Sequence, residues 1–268
     1  MPAVAMTDHG NMFGAYEFFQ ISKKYDRDQN PLIKPIIGIE AYVAPSTRKS
    51  RVQEFWGTSR DAGDPDAEGG KDVSGGGRYT HMTMWAKDSE GLHDLFRLSS
   101  LASYEGYYMK PRMDRELMGQ YSGGIIASTG CPSGEVQTRL RLGQFEEACQ
   151  AASDYRDIFG RENYFCELMD HGVPIEKQVR SDLLKLAKKL DIPLLVTNDS
   201  HYVTEDQADA HDSLLCVGVG RNKDDPNRFR FNGSGYYIKS SEQMRALFPD
   251  HPEACDNTLL LTEMIGSY

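Results

Sequence analysis

Short apolar runs alternate with amphipathic segments along most of this chain of 268 residues. Each apolar run has the length of a buried strand, and each amphipathic segment carries its apolar residues at helical spacing. Strands separated by helices are usually parallel and joined by crossovers, so the pattern predicts an α/β protein with parallel strands and no antiparallel core. The predicted strands cover residues 2–6, 35–43, 79–85, 124–127, 164–168 and 192–196.

Polar residues lie at the ends of these strands, and their distribution favours a barrel over an open sheet. In a (β/α) barrel the strand ends meet at one mouth, whereas an open doubly wound sheet gathers its site at a single switch point. Neither GxGxxG nor GxxxxGK follows a predicted strand, which disfavours a nucleotide-binding open sheet. We therefore expect a (β/α) barrel with a site at its mouth.

Three segments depart from the alternation. Residues 54–78 are rich in Gly and Asp and predict a mobile insertion. An Asn-Gly pair predicts a hairpin within residues 229–238. A capping-box pattern at Ser240 and a later proline predict helices within residues 239–268, after a barrel domain that spans residues 1–238.

Composition and charge restrict the setting of the protein. The five cysteines form no CxxC pair and are odd in number, which favours reduced thiols in the cytoplasm. We expect no membrane association, because no apolar run approaches the ~18 residues of a membrane span. The net charge of −10 argues against a broad nucleic-acid-binding surface, and we interpret the basic segments 48–51 and 221–230 as solvated loop charges.

Several residues that bind metals in other proteins lie at the ends or starts of the predicted strands. Asp199 and His201 illustrate the pattern, because side chains two apart on extended backbone point to the same side. Each residue alone has an ordinary interpretation as a core histidine, a surface charge or a loop thiol. Together, on successive strands, they predict a metal centre. The set is His9, Glu40, His81, Cys131, His171, Asp199 and His201.

The kinds of ligand restrict the chemistry. Imidazoles with carboxylates and one thiolate suit Zn²⁺ or Mn²⁺ better than Ca²⁺. Two such ions roughly 3.5–4 Å apart can activate water and hold a phosphoryl oxygen, so phosphoester hydrolysis is the predicted reaction. A nucleophilic Cys131 is the competing mechanism, which would need a positioned base and an anion hole.

Four motifs resemble those of PHP (polymerase and histidinol phosphatase) domains. They are TDHGN at 7–11, GIEAYV at 38–43, HMTMW at 81–85 and VTNDSHY at 196–202. More narrowly, the chain is similar to the N-terminal PHP domain of bacterial DNA polymerase III alpha subunits. The segments at 239–248 and 252–258 resemble the junction that leads into the polymerase domains of that family.

The resemblance implies a distorted (β/α)7 barrel with up to three divalent ions, Zn²⁺ or Mn²⁺, with Mg²⁺ as an alternative. Family ligands match six residues here, of which Glu40, His81 and Cys131 would form one complete site. The His-x-His motif that opens PHP domains has no match, so we expect the first strand and helix to be lacking and fewer ions to bind. The implied metal ligands are His9, Glu40, His81, Cys131, Asp199 and His201, and the implied supporting or substrate-facing residues are Asp8, Asn198 and His171.

The resemblance also implies a function in DNA replication. Intact PHP sites of this family act as 3′–5′ proofreading exonucleases, for which we expect His9, Asp199 and His201 to be catalytic. The implied partners are a DNA primer 3′ end, the polymerase domains, a proofreading subunit and the sliding clamp, in a cytoplasmic replisome. Two alternatives stay open: a non-catalytic scaffold that stabilises the polymerase and docks the proofreading subunit, and a small-molecule phosphatase of the histidinol-phosphatase type.

Overall fold

The computed structural model describes residues 1–23, 33–57 and 72–268 of the chain. All six predicted strands are present in it, together with a two-residue strand that the sequence pattern did not predict. The strands are β1 (Ala3–Met6), β2 (Lys34–Val43), β3 (Thr80–Ala86), β4 (Arg112–Met113), β5 (Ile125–Ser128), β6 (Tyr164–Leu168) and β7 (Leu194–Val196). The helices are α1 (Ala15–Ser22), α2 (Ser74–Gly77), α3 (Ser89–Glu105), α4 (Arg115–Gln120), α5 (Glu135–Arg141), α6 (Phe145–Phe159), α7 (Pro174–Leu190), α8 (Ala208–Val219), α9 (Ser241–Leu247) and α10 (Pro252–Met264).

The strands form one curled sheet in the order β1-β2-β3-β5-β6-β7, with β4 paired to β2. β1 is parallel to β2, and β5, β6 and β7 are parallel to one another, as predicted. β3 is antiparallel to both of its neighbours, so the expectation of a sheet without antiparallel strands is wrong. The mixed α/β architecture is consistent with a distorted PHP barrel.

The direction of β3 follows from how the chain enters it. The register pairs Val43, at the end of β2, with Thr80, at the start of β3. A parallel partner would need a crossover, usually a helix, and the described part of residues 44–79 holds only the single turn of α2. Because of this antiparallel register, β3 presents its first residues at the edge where β2 presents its last.

The alternation of side chains along β2 assigns them to two faces of the sheet. Ile39, Ala41 and Val43 belong to the main core with residues of α3 to α7, where each fully buried aliphatic side chain contributes roughly 1.5–3 kcal/mol. Ile36 and Glu40 lie on the opposite, inner face, which is apolar at one end and polar at the other. The inner apolar cluster consists of Ile36, Trp85, Ile126, Phe165, Leu195, Leu261 and Ile265.

Residues 239–268 are helical, as the capping pattern predicts. The hydroxyl of Ser240 accepts the backbone N–H of the third residue of α9 at 3.2 Å. The hydroxyl of Tyr268 donates to the carbonyl of Ala86 at 2.8 Å and accepts the N–H of Ile37 at 3.2 Å. These contacts tie the C-terminal segment to the sheet, while its role as a junction stays a prediction.

Two other expectations have a different outcome. Residues 229–238 contain no strand pair, so the hairpin prediction is wrong; Tyr237 forms a single bridge with Tyr202 instead. Of the predicted insertion at 54–78, residues 58–71 lie outside the described residues. In its described flanks, the carboxylate of Asp72 accepts the backbone N–H groups of residues 56 and 57 at 2.9 and 2.8 Å.

The interpretation of the basic segments as solvated charges is wrong for two arginines. Arg48 is buried and lies 2.9 Å from Asp114. Arg228 is also buried and lies 2.6 Å from Asp212. Both guanidinium groups are neutralised by carboxylates within the protein. Among the described residues, no helix combines the length and the apolar character that a membrane crossing requires.

Candidate metal centre

The predicted ligands come together at one edge of the sheet. His9 follows β1 and Glu40 lies in β2, whereas His81 lies at the start of the reversed strand β3. Ligand atoms of these three residues lie within 4.8 Å of one another. Cys131, after β5, and the loop after β7 lie around this trio and not within it.

Glu40 is the buried centre of the trio. One carboxylate oxygen lies 2.7 Å from Nδ1 of His81, and the other lies 3.6 Å from Nδ1 of His9. Burial raises the pKa of this carboxyl, but the charges of His9 and His81 and the hydrogen bond from His81 outweigh burial and lower the pKa to about 2. Glu40 is therefore an ionised carboxylate at neutral pH.

Cys131 brings a thiol against two members of the trio. Its Sγ lies 3.4 Å from Nδ1 of His81 and 3.5 Å from an oxygen of Glu40. The turn that carries it is fixed to β3, because the carbonyl of Ser133 accepts the backbone N–H of His81 at 3.1 Å. Burial, followed by the charges of Glu40 and Asp199, raises the pKa of this thiol. A bound divalent cation would reverse that balance, because metals bind the thiolate.

Asp199 and His201 lie on the loop after β7. Asp199 has a φ of 40°, a left-handed conformation that is uncommon outside glycine, so its neighbours must hold it in place. Nδ1 of His201 donates to the carbonyl of Asp199 at 2.7 Å, so Nε2 is the ring nitrogen that remains for a metal. The ring of His201 lies 5.9 Å from that of His9. Burial and then the charge of Glu40 raise the pKa of Asp199.

His171 supports this loop from inside the protein, with a side chain that is 1% exposed. Its Nδ1 lies 2.5 Å from Glu176, and its Nε2 lies 2.8 Å from the carbonyl oxygen of Asn198. Burial lowers the pKa of His171, but the hydrogen bond and charge of Glu176 outweigh it, so the pKa is raised. Because both ring nitrogens face acceptors, a protonated His171 satisfies both.

Asn198 and Asp8, the other two predicted supporting residues, form hydrogen bonds with backbone groups of neighbouring segments. The side-chain amide of Asn198 donates to the carbonyls of Gly235 and Tyr237 at 3.0 and 2.7 Å. The carbonyl of Asp8 accepts the N–H of Glu40 at 3.0 Å, which extends the pairing of β1 and β2 to the site. Asn198 thus links the ligand loop to the segment before α9.

Sequence reasoning missed a buried acid next to the site. Glu167 of β6 is 3% exposed, and its carboxylate accepts the hydroxyls of Ser128 and Thr197. Burial raises the pKa of Glu167 to about 7, against the effect of these two hydrogen bonds. The available signal was an acid inside the apolar run of residues 164–168.

Sequence reasoning also missed the aromatic residues that pack against His201. The ring of Phe231 lies 4.6 Å from that of His201, and the ring of His211 lies 5.3 Å from it. Phe231 belongs to the segment that the sequence pattern assigned to a hairpin. Its ring packs against His201 at this end of the site and does not belong to a hairpin.

The residues present fit a divalent cation. Imidazole, carboxylate and thiol groups converge, and the negative charges of Glu40 and Asp199 oppose each other in a buried setting. A cation bound between them would stabilise both carboxylates and the thiolate of Cys131. The arrangement can therefore hold a metal ion and, through it, an anionic ligand.

Comparison with known proteins agrees with this geometry. The PHP domain profile matches residues 1–171. DNA polymerase III alpha subunits of Saccharopolyspora erythraea and Mycobacterium tuberculosis are 60% and 54% identical over 269 and 270 residues, covering all of this chain and 22% of each relative. That of Thermus aquaticus is 38% identical over 266 residues, covering 98% of this chain and 20% of the relative.

This chain therefore spans about a fifth of the length of these relatives. The similarity extends over all the predicted ligands, and the family profile includes four of them, from His9 to Cys131. The resemblance predicted from the four sequence motifs is thereby confirmed. The chain belongs to the PHP domain family.

Proposed function

We propose that this chain is the metal-dependent phosphoesterase domain of a replicative DNA polymerase III alpha subunit and acts as a 3′–5′ proofreading exonuclease. The observation that carries the proposal is the convergence of His9, Glu40 and His81, with Cys131 against two of them. Ligands of this kind at one polar edge of a sheet suit phosphoester hydrolysis. Similarity to alpha subunits supports a DNA primer 3′ end as the substrate.

Glu40, His81 and Cys131 would hold one divalent cation. A thiolate beside imidazole and carboxylate favours Zn²⁺ or Mn²⁺, with Mg²⁺ as a weaker alternative. A cation bound there would supply Lewis-acid stabilisation of a phosphoryl oxygen. Asp199, His9 and His201 would provide ligands for any further ions.

The chain's own residues differ in what they offer a substrate. The side chain of His9 is 44% exposed, whereas those of His81 and Glu40 are 15% and 7% exposed, so His9 meets an approaching phosphodiester first. Nδ1 of His201 is engaged by the carbonyl of Asp199, so Nε2 is the ring nitrogen that would face a substrate. Asp199 would orient the attacking group, since its carboxylate lies 3.9 Å from Nδ1 of His201.

The partners follow from the same proposal. The polymerase domains would adjoin residues 239–268, and a proofreading subunit and the sliding clamp would join the protein in a cytoplasmic replisome. A primer terminus released from the polymerase site would then reach the metal centre. The net charge of −10 does not oppose this, because bound cations make a carboxylate-rich site attractive to phosphate.

A primer labelled at its 3′ end, incubated with and without Mn²⁺ or Zn²⁺, tests the proposal. Asp199→Asn removes a charge and keeps the shape, so we expect loss of cleavage with an unchanged circular dichroism spectrum. Asp157→Asn on the exposed face of α6 is the matched control and should cleave normally. Cleavage retained in Asp199→Asn with the same metal dependence would refute the assignment.

A chromogenic phosphate ester, assayed in parallel, separates the alternatives. Turnover of the ester without cleavage of the primer would favour a small-molecule phosphatase. Turnover of neither substrate, in protein that contains metal, would favour the scaffold that stabilises the polymerase and docks a proofreading subunit.

A further inference from the structure

A cleft of about 370 Å³ opens beside the metal centre, between the start of α8 and residues 230–233. Its volume is within the range of pockets that bind small organic ligands. Aromatic and polar side chains line it together. Those that matter to its chemistry are Tyr202, His211, Leu215, Arg230, Phe231 and Asn232.

The cleft shares a wall with the metal centre. The rings of Phe231 and His211 lie 4.6 and 5.3 Å from the ring of His201, and 5.0 Å from each other. The ring of His9 lies 5.9 Å from the same imidazole. A group in the cleft would therefore lie against His201, one of the predicted metal ligands.

Among the described charged side chains that line the cleft, one positive group, Arg230, is not neutralised by an ion pair. The two acids that line it are already paired: Asp212 lies 2.6 Å from Arg228, and Asp209 lies 2.5 Å from Lys223. Arg230 is exposed and, among the described residues, forms no ion pair. An anionic ligand is therefore favoured over a cation.

The remaining groups suit a planar ring with polar edges. Aromatic side chains stack on nucleobases of any sequence, and an arginine beside them binds phosphate. Asn232 is exposed and offers both an amide donor and a carbonyl acceptor, which can pair with a base edge. A purely apolar ligand would form no hydrogen bond with this amide or with Arg230.

We propose that this cleft binds the terminal nucleoside of the DNA strand whose phosphodiester lies at the metal centre. The base would stack on the ring of Phe231. The ring of His211, inclined at 67° to that of Phe231, would meet the edge of the base, with Asn232 at its polar groups and Arg230 toward a phosphate. This inference rests on the proposed function and adds to it the group by which the strand end is recognised. The cleft would select a nucleotide that is free to leave the duplex stack, because a paired base cannot enter it.

Binding without chemistry tests the cleft first. We would titrate the chain in EDTA with deoxyadenosine 5′-monophosphate and with deoxyribose 5-phosphate, and follow both by NMR. We expect the monophosphate to bind more tightly than the sugar phosphate, and Phe231→Ala to weaken it by roughly five- to a hundredfold. Phe231→Tyr keeps the ring and should bind normally. Equal binding of the two ligands, or no effect of Phe231→Ala, would overturn the proposal.

A second variant avoids disturbing the metal centre. Phe231 also packs 4.6 Å from the ring of Tyr236, so its removal can loosen the loop around His201. Leu215→Trp fills the cleft from α8 and leaves that packing in place. Leu214→Trp is the matched control, because Leu214 is 65% exposed and does not line the cleft. We expect Leu215→Trp to lose binding and Leu214→Trp to keep it; equal binding by both would contradict the assignment.

Primer cleavage then distinguishes this inference from the proposed function. A primer with an abasic 3′-terminal sugar should be cleaved more slowly than one with a normal terminal nucleotide, and Leu215→Trp should abolish the difference. If the wild-type chain cleaves neither primer, the proposed function fails, while the binding of the monophosphate still decides the cleft. If it cleaves both primers equally, the cleft assignment is wrong and the exonuclease assignment stands.

Discussion

The two sides of the metal centre are held by different kinds of structure. Glu40 and His81 lie on neighbouring strands, where the antiparallel register of β2 and β3 fixes them through backbone hydrogen bonds. Asp199 and His201 lie on a loop, where single side chains such as His171 hold them. We refer to these as the strand side and the loop side of the centre.

The two sides differ in how firmly the surrounding structure holds their ligands. A ligand on the strand side can move only if the core of the sheet moves as well. The loop side depends on a few hydrogen bonds, each worth roughly 0.5–1.5 kcal/mol, or more where a charged group takes part. The strand side should therefore be preformed for metal binding, and the loop side should be open to change by one substitution.

The largest expected effect comes from breaking the strand side. Glu40→Gln removes the charge between His9 and His81 and should weaken metal binding by more than about 100-fold, since even an outer partner of a ligand is worth 10–100-fold. Metal analysis after dialysis measures this. Glu90→Gln in the exposed first turn of α3 is the control. Full metal content in Glu40→Gln would show that the trio is not the site.

An intermediate effect should come from the loop side. His171→Gln disturbs the bonds to Glu176 and Asn198, and should lower primer cleavage by roughly 10–100-fold while the strand side keeps its metal. Stability should fall by about 1–3 kcal/mol, because buried polar groups lose their partners. His93→Gln on the exposed face of α3 is the matched variant. Loss of metal in parallel with activity would mean that the two sides are not separable.

The smallest expected effect on the metal centre concerns Glu167, the buried acid next to it, whose replacement should change stability and leave the ligands in place. The pKa of Glu167 is raised from 4.5 to about 7 in the folded protein, so the folded state keeps a proton that the unfolded state has lost between these values. Stability from this group is therefore present below pH 4.5 and is lost as the pH rises through about 7.

Glu167→Gln should remove that dependence, since glutamine stays neutral. In EDTA, denaturant unfolding should show the variant about 3 kcal/mol more stable than wild type at pH 8, and similar to it at pH 4.5. The same difference at both pH values would show that Glu167 does not carry the proton.

The sequence predicted much of the strand side for a simple physical reason. Buried strands are apolar, so a polar residue at the end of an apolar run stands out, as Glu40 does. The direction of a strand cannot be predicted in this way, because the alternation of apolar and polar residues is the same for parallel and antiparallel strands. His81 was therefore identified as a site residue at a strand start, without the antiparallel pairing that explains its place.

The rest depends on contacts that no local pattern encodes. In the sequence, Glu167 is an acid inside an apolar strand with no evident partner. The fold supplies its partners, the hydroxyls of Ser128 and Thr197. In the sequence, Arg48 resembles a solvated loop charge, whereas the fold places Asp114 beside it. Phe231 lies thirty residues from His201, after α8 and in a segment without regular structure, so neither periodicity nor spacing could predict their contact.

Cobalt substitution tests the central claim most directly, that Glu40, His81 and Cys131 form one metal site. Co²⁺ bound to the wild-type chain should show the near-ultraviolet charge-transfer absorption of a thiolate ligand. Cys131→Ala should lose that band and much of its metal content, while Cys255→Ala, which changes a buried cysteine of α10, should keep both. A wild-type chain that binds Co²⁺ without the band, or a Cys131→Ala variant with equal metal content, would contradict the account.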